Sequence, residues 1–359
     1  MIKRKYFQEE TIRAKRNELK VADPGLFEKA IHAFELLGCL AESGLDFIFK
    51  GGTSLMLHIP EPQRLSIDID ILSGEKPDNL DSKLKSISMM YPFLRCYEDE
   101  RGHRGLPNRR HFKFFYNSQI SKREDSVLLD IVEENKCLLP IQEKVIKSTF
   151  FETDRNVKVK VPIPEGLLGD KLSAFAPNTL GVPFLTKSGH LHSLQVIKQM
   201  FDIGQLFDIV ANYKEVFAAY LASYKQENEY KKGIYTLEQA LDDSVETALE
   251  VCRMGLRGHK ASDISGYLDD GIRKLQNHLI SNPFRPNIEA KISASKAFAL
   301  FKMIRGNSFD LMTEYGLYIQ SEKQIELIRS NSIDSTIDRL KKTNPEAYYY
   351  LLLGILSSQ

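Results

Sequence analysis

The sequence predicts an α+β protein in which a mixed β-sheet flanked by helices is followed by an α-helical domain. The chain has 359 residues, a length typical of about two domains. Short strand-like segments lie between residues 45 and 161, whereas nearly every segment after residue 165 repeats its apolar residues at helical spacing. We therefore expect one domain over residues 1–162 and a second over residues 163–359.

The first domain begins with two predicted helices, at 7–20 and 24–42. Asp23 is a suitable capping residue for the second helix, and Pro24 is suited to its first turn. A further helix is predicted from Thr53 to His58, directly after a glycine pair. The predicted strands, in chain order, are 45–49, 65–72, 109–116, 125–133 and 157–161.

The second domain is predicted to be wholly helical. The strands at 109–116 and 125–133 are expected to be antiparallel neighbours, because a short polar segment joins them. The expected helices of the second domain are 165–176, 191–212, 214–227, 236–255, 262–279, 286–304, 321–330, 333–341 and 345–356.

Composition excludes several classes of protein. Apolar residues make up 42% of the chain and charged residues 27%, which is typical of a globular protein and excludes disorder over most of its length. The net charge is only +1, so a nucleic acid or an anionic membrane could be attracted only by a local patch.

Cysteine usage and hydropathy indicate the compartment. The four cysteines are far apart in the chain and form no metal-binding spacing, which favours reduced thiols in the cytoplasm. The chain has neither a signal-peptide pattern nor a run of about 20 apolar residues. We therefore expect a cytoplasmic protein with no membrane partner, and a buried C-terminal helix from the apolar run at 347–356.

Two aspartates form the sharpest feature of the sequence. Asp68 and Asp70 alternate with isoleucines along a predicted strand, so both carboxylates leave the same face. Carboxylate oxygens are preferred ligands of hard divalent cations, and two adjacent like charges are costly without one. The spacing therefore suggests a site for Mg²⁺ or Mn²⁺, although such a pair in isolation is most often surface decoration.

A glycine pair precedes these aspartates. Gly51-Gly52 ends a predicted strand and opens a helix, which would let backbone N–H groups approach a phosphate. The alternative is a tight turn with no ligand. The segment has neither the P-loop spacing nor the dinucleotide-binding spacing, so both of those classes are excluded.

Asp130 is the candidate for a third carboxylate. It interrupts the apolar predicted strand at 125–133, and a charge at that position suggests a function. Three carboxylates could hold two metal ions for an in-line phosphoryl displacement. The alternative is an aspartate on an edge strand that faces water.

These motifs together resemble the DNA polymerase β-like nucleotidyltransferase superfamily and, within it, the AbiEii/AbiGii toxins of type IV toxin–antitoxin pairs. The likeness spans roughly residues 45–210. It rests on KGGTSL at 50–55, RLSIDID at 64–70, DKLSA at 170–174 and KQMFDI at 198–203. The chain departs from the family pattern at Gln199, where an acidic residue is usual.

The resemblance implies a polymerase β-like fold and a metal-dependent transfer of a nucleoside monophosphate from an NTP. It implies catalytic roles for Asp68, Asp70, Asp130, Lys171 and Asp202, with the first three as metal ligands and the last two contributed to the cleft by the helical domain. Lys171 would contact the nucleotide phosphates, and Asp202 would act in catalysis or orient the lysine. The residues expected to bind the nucleotide are Lys50, Gly51, Gly52, Thr53, Ser54, Arg64 and Ser66.

The alternatives for Lys171 and Asp202 are structural. Lys171 could lie on a solvated helix face, and Asp202 could form an ion pair with Lys198, four residues earlier on the same helix. A basic segment at 101–113 could bind the backbone of an RNA acceptor, or it could be a solvated hairpin loop.

The resemblance further implies a cognate antitoxin and an RNA acceptor, with a tRNA 3′ end as one candidate. Two other functions are compatible with the same residues. One is a nucleotidyltransferase that modifies small molecules, in the manner of antibiotic-modifying enzymes. The other is an inactive nucleotidyltransferase fold that serves as a binding module.

Overall fold

The computed structural model describes residues 1–99, 107–134, 136–186, 188–280 and 285–358. The chain divides into two compact units. The first comprises Met1–Leu167 and Asn277–Asn282, and the second comprises Leu168–Gln276 and Pro283–Gln359. The predicted α+β class is confirmed, because the first unit contains a mixed sheet with helices and the second is built of helices.

The elements of the first unit follow the predicted order with several additions. Its helices are α1 (Glu9–Glu18), α2 (Pro24–Glu42), α3 (Gly51–Leu55), α4 (Pro77–Ser88) and the beginning of α5 (Pro164–Ala174). Its strands are β1 (Ile48–Lys50), β2 (Asp68–Ser73), β3 (Phe93–Glu98), β4 (Arg109–Asn117), β5 (Glu124–Glu133), β6 (Ile141–Val145) and β7 (Lys158–Pro162).

Within the described residues, the seven strands form one sheet in the order β3-β4-β5-β2-β1-β7-β6. The pairs β2–β5 and β1–β7 are parallel, and the other neighbours are antiparallel. The sheet is therefore mixed, as predicted. The predicted antiparallel pairing of 109–116 with 125–133 is confirmed in β4 and β5.

The long helix α2 covers one face of the sheet. Its first turn is capped by Asp23, whose Oδ1 accepts a hydrogen bond from Gly25 N at 2.8 Å. Phe34 of α2 lies in the same apolar core as Ile69 of β2 and Leu129 of β5, and all three are 0% exposed. Because β2 buries its isoleucines here, its aspartates lie on the opposite face.

Three elements of the first unit were not predicted. Helix α4 does show helical spacing, since Leu80, Leu84 and Ile87 are its buried apolar residues. Among the described residues, β3 and β6 are the two edge strands of the sheet. Edge strands need no regular apolar face, and most residues of β3 and β6 are at least partly exposed. Periodicity is therefore a weak signal for them.

The second unit continues from α5 with further helices. They are α6 (Ser193–Phe207), α7 (Tyr213–Tyr230), α8 (Leu237–Arg253), α9 (Asp263–Leu275), α10 (Pro286–Gly306), α11 (Asp310–Tyr315), α12 (Glu322–Ser330), α13 (Leu340–Thr343) and α14 (Pro345–Leu356). The predicted buried C-terminal helix is confirmed in α14. Among the described residues, no helix combines the length and the apolar character that a membrane crossing requires.

The prediction of one helix over 333–341 is wrong. A 3₁₀ turn at Ile337–Arg339 precedes the short α13 instead. Asp334 Oδ1 accepts hydrogen bonds from Thr336 N and Ile337 N at 2.8 Å each. These bonds to a side chain replace the first bonds of a helix, so the helix begins later. Helix α11 was not predicted.

Candidate active site

Asp68 and Asp70 lie on β2 and leave the same face of the sheet, as predicted. Both are partly exposed, whereas Ile69 and Ile71 are buried at 0% and 1% exposure. The alternation arises because successive side chains of a strand point to opposite faces. The two carboxyl groups are therefore neighbours on the face that is turned away from the apolar core.

The Gly51-Gly52 turn lies directly against this face. Gly51 has a φ of +73°, a conformation that favours glycine. A Cβ atom at Gly51 would lie 2.0 Å from Asp70 Oδ2, and one at Gly52 would lie 2.5 Å from Arg64 Nη2. The backbone of the turn therefore approaches Asp70 and Arg64 more closely than any other residue type would allow.

The hydroxyl groups that follow the turn are used inside the protein. Thr53 and Ser54 are both 0% exposed. The Thr53 hydroxyl donates to the carbonyl oxygen of Asp68 at 2.5 Å and is hydrogen-bonded to Ser66 Oγ at 2.8 Å. Ser54 Oγ donates to the carbonyl oxygen of Gly51 at 2.8 Å. These bonds fasten α3 to β2 and hold the glycine turn beside the aspartates.

Arg64 lies beneath the turn and is only 4% exposed. Its Nη1 donates to the carbonyl oxygen of Leu65 at 3.2 Å. The same stretch is held by a segment far along the chain, since Leu65 N donates to His278 O at 2.8 Å and Ile280 N donates to Gln63 O at 2.9 Å. Sequence reasoning did not identify these partners, because no local pattern links segments so distant in sequence.

Asp130 lies beside the aspartate pair, as predicted. It is the register partner of Asp70 in the parallel pairing of β2 with β5. Because β5 lies between β4 and β2, the alternative of an edge-strand position is wrong. The Asp130 side chain is 32% exposed and therefore remains open to solvent on the same face as Asp70.

His111 is a residue of this site that sequence reasoning did not assign to it. It lies on β4 opposite Asp130, and its Nδ1 is 2.7 Å from Asp130 Oδ1. The available signal was the predicted pairing of the two strands. That pairing did not specify the register, on which the meeting of His111 with Asp130 depends.

The donor set on this face fits a hard divalent cation. Asp68 and Asp70 offer carboxylate oxygens from one face of one strand, and Asp130 stands beside Asp70. Among the described residues, no group of three or more acidic, histidine or cysteine side chains is gathered closely enough to hold a metal ion. One oxygen of Asp130 is directed to His111 instead. The Mg²⁺ or Mn²⁺ site stays a prediction.

A second charged cluster lies in the second unit. Lys171 of α5 is 3.1 Å from Asp202 Oδ2 of α6, and its Nζ donates to Gln199 Oε1 at 3.0 Å. The two charged side chains are 7% and 0% exposed. The alternative of a solvated helix face is therefore wrong for Lys171. Asp202 pairs across helices with Lys171.

The basic segment at 101–113 is described only from residue 107 onward, so Arg101 and Arg104 lie outside the described residues. Its remaining part is mostly strand β4. Arg110 donates to both carboxylate oxygens of Glu98 and thereby holds the pKa of that carboxyl below its usual range. Lys113 pairs with Asp99 at 2.8 Å. These partners neutralise the charges of Arg110 and Lys113, and the RNA-binding role of the segment stays a prediction.

Comparison with known proteins places the chain in a family. The family model described as the nucleotidyl transferase AbiEii toxin of type IV toxin–antitoxin systems matches residues 35–306. A search of curated proteins found no significant match.

Two solved structures from Helicobacter pylori show a distant likeness. JHP933 is 15% identical, with a TM-score of 0.34 over 69% of this chain and 97% of its own. A candidate nucleotidyltransferase is 16% identical, with a TM-score of 0.34 over 68% of this chain and 95% of its own. Both likenesses are too distant to support an inference. The family model alone covers most of this chain, including the glycine turn and the three aspartates, and the chain therefore belongs to the AbiEii family of nucleotidyltransferase toxins, which implies a cognate antitoxin.

Proposed function

We propose that this toxin transfers a nucleoside monophosphate from an NTP to the 3′-terminal hydroxyl of a tRNA, with Mg²⁺ or Mn²⁺ held by Asp68 and Asp70. The acceptor oxygen forms a bond to the α-phosphorus, the bond from that phosphorus to the bridging oxygen breaks, and pyrophosphate leaves. The acceptor proton passes to water or to a carboxylate.

The observation that carries this proposal is the close approach of the glycine turn to Asp70. This close approach supports a site in which a triphosphate binds at the glycine turn. The carboxylates of Asp68 and Asp70, which would hold the cation, would then lie next to the phosphates. A bound divalent cation supplies positive charge to the phosphate oxygens as pyrophosphate leaves. The chain's own contribution is to hold Asp68 and Asp70 on one face and to keep bulky side chains away from the turn.

The proposed roles differ among the remaining residues. Thr53, Ser54 and Ser66 shape the turn through buried hydrogen bonds. Asp130 adds a third carboxylate beside Asp70.

The test is transfer of labelled phosphate from each of the four α-labelled NTPs by the native chain and by a variant that combines Asp68→Ala with Asp70→Ala. We expect the variant to lose more than about 100-fold in rate, because loss of metal ligands costs more than loss of their supporting groups. Unchanged circular dichroism would show that the fold survives. A variant that transfers at the native rate would remove the proposal.

The acceptor is tested with deacylated tRNA and with the same tRNA after periodate oxidation, which destroys the terminal 2′,3′-diol. Label should enter only the unoxidised tRNA. Label on small hydroxyl compounds, with none on RNA, would support the small-molecule alternative and overturn the tRNA proposal.

A further inference from the structure

Four residues form one row across the middle of the sheet. Lys50 of β1 is the register partner of Asp70, Asp70 is the partner of Asp130, and Asp130 is the partner of His111. Residues directly opposite each other on paired strands extend to the same face. Lys50 and His111 therefore stand at the two ends of a pair of carboxylates.

The contact at the His111 end is well defined. His111 Nδ1 is 2.7 Å from Asp130 Oδ1, a distance typical of a strong hydrogen bond to a carboxylate. An ionised carboxylate can only accept, so Nδ1 carries the proton and donates. The His111 side chain is 13% exposed, so the imidazole is partly shielded from water that would compete for this bond.

This bond restricts the Asp130 carboxylate. With Oδ1 held from the β4 side, rotation about the side-chain bonds is limited, and Oδ2 is left for another partner. Asp70 lies on the opposite side of Asp130, on a backbone about 4.8 Å away. Groups that orient the ligands of a metal in this way are usual around metal sites.

We infer that His111 is a positioning residue for Asp130: it holds one oxygen of this carboxylate from the β4 side, so that the other stays on the face where Asp68 and Asp70 would bind a divalent cation. This inference rests on the proposed function. It assigns a role in the site to a histidine of the basic segment at 101–113.

The same strand supplies a matched comparison. Asp125 of β5 is also 32% exposed, and its Oδ1 is 2.8 Å from Lys29 Nζ and accepts a hydrogen bond from Ser126 N. That pair lies outside the row of carboxylates. Lys29→Met therefore removes a partner of an equally exposed β5 aspartate without affecting the site.

The experiment compares His111→Phe, His111→Gln, His111→Asn and Lys29→Met with the native chain. Two quantities are measured: the affinity for Mn²⁺ by calorimetry without nucleotide, and the rate of transfer. The Asn amide nitrogen overlays Nδ1 and can donate to Asp130, whereas the Gln amide nitrogen overlays Nε2 and cannot. The Gln variant provides a second loss variant if Phe prevents folding.

We expect His111→Phe and His111→Gln to lose about 10- to 100-fold in both Mn²⁺ affinity and rate. His111→Asn should retain most of both quantities, and Lys29→Met should match the native chain. Native Mn²⁺ affinity in the Phe or Gln variant would overturn the inference, as would an Asn variant that loses as much as Gln. If the native chain shows no transfer that depends on Asp68 and Asp70, the proposed function fails, and the Mn²⁺ titration still decides the role of His111.

Discussion

The two charged clusters of this chain differ in how they are exposed. In the first unit, Asp70 is partly exposed and Asp130 is 32% exposed beside a glycine turn. In the second unit, Lys171 and Asp202 are 7% and 0% exposed and form an ion pair at 3.1 Å. Like charges lie together at the partly exposed cluster, whereas the buried charges are of opposite sign. A buried pair of opposite charges depends on both partners, because removal of one leaves the other charge uncompensated.

The largest expected effect is on the stability that the buried Lys171–Asp202 pair provides. Lys171→Met leaves the fully buried Asp202 carboxylate with one charged partner fewer, and we expect a loss of about 3–5 kcal/mol in the free energy of unfolding. The combination of Lys171→Met with Asp202→Leu should recover most of that stability, because no uncompensated charge remains. Urea unfolding measures both variants.

The same two variants sharpen the comparison when transfer is assayed. A stable double variant that transfers at the native rate would show that the pair is structural, against the role that the family resemblance implies. A stable double variant with no transfer would show that the pair is needed for the reaction.

The next effect is on the rate of transfer and concerns the open cluster, which comprises Asp68, Asp70 and Asp130. In Gly51→Ala, the new Cβ would lie 2.0 Å from Asp70 Oδ2, so the carboxylate must move. We expect transfer to fall by about 100-fold, which corresponds to about 2.7 kcal/mol. Gly44→Ala is the matched control, because Gly44 has a φ of +72° but no atom within 4 Å of an added Cβ. Equal losses of transfer in both variants would attribute the effect to backbone strain.

The smallest effect is on the free energy of unfolding and concerns Thr53, which supports the open cluster. Thr53→Val removes a buried hydroxyl that holds Asp68 O and Ser66 Oγ, with little change in shape. We expect a loss of about 1–2 kcal/mol in unfolding free energy. Thr343→Val should change it by less than about 0.5 kcal/mol, because that hydroxyl donates to Arg339 O on an exposed helix. Thermal or urea unfolding distinguishes the two, and a neutral Thr53→Val would show that packing alone holds the turn.

Local patterns predicted the main features of the open cluster. The alternation of Asp68 and Asp70 with isoleucines indicated a common face, and the glycine pair indicated a close approach of backbone. The prediction that Thr53 and Ser54 lie at the turn was equally local. The partners of the Thr53 hydroxyl were not predictable, since Ser66 Oγ and Asp68 O are brought close only by the pairing of β1 with β2.

The sequence by itself determined which residues share a face of a strand or helix. Which residues share a face depends only on the regular repeat of side chains along each kind of element. The sequence therefore determined the aspartate pair, the helical second unit and the buried C-terminal helix. Only the tertiary structure decided that His111 meets Asp130, that residues 277–282 join the first unit, and that Lys171 is enclosed with Asp202. These contacts depend on strand register and helix packing, which are set by the summed burial of many side chains and by no single local pattern.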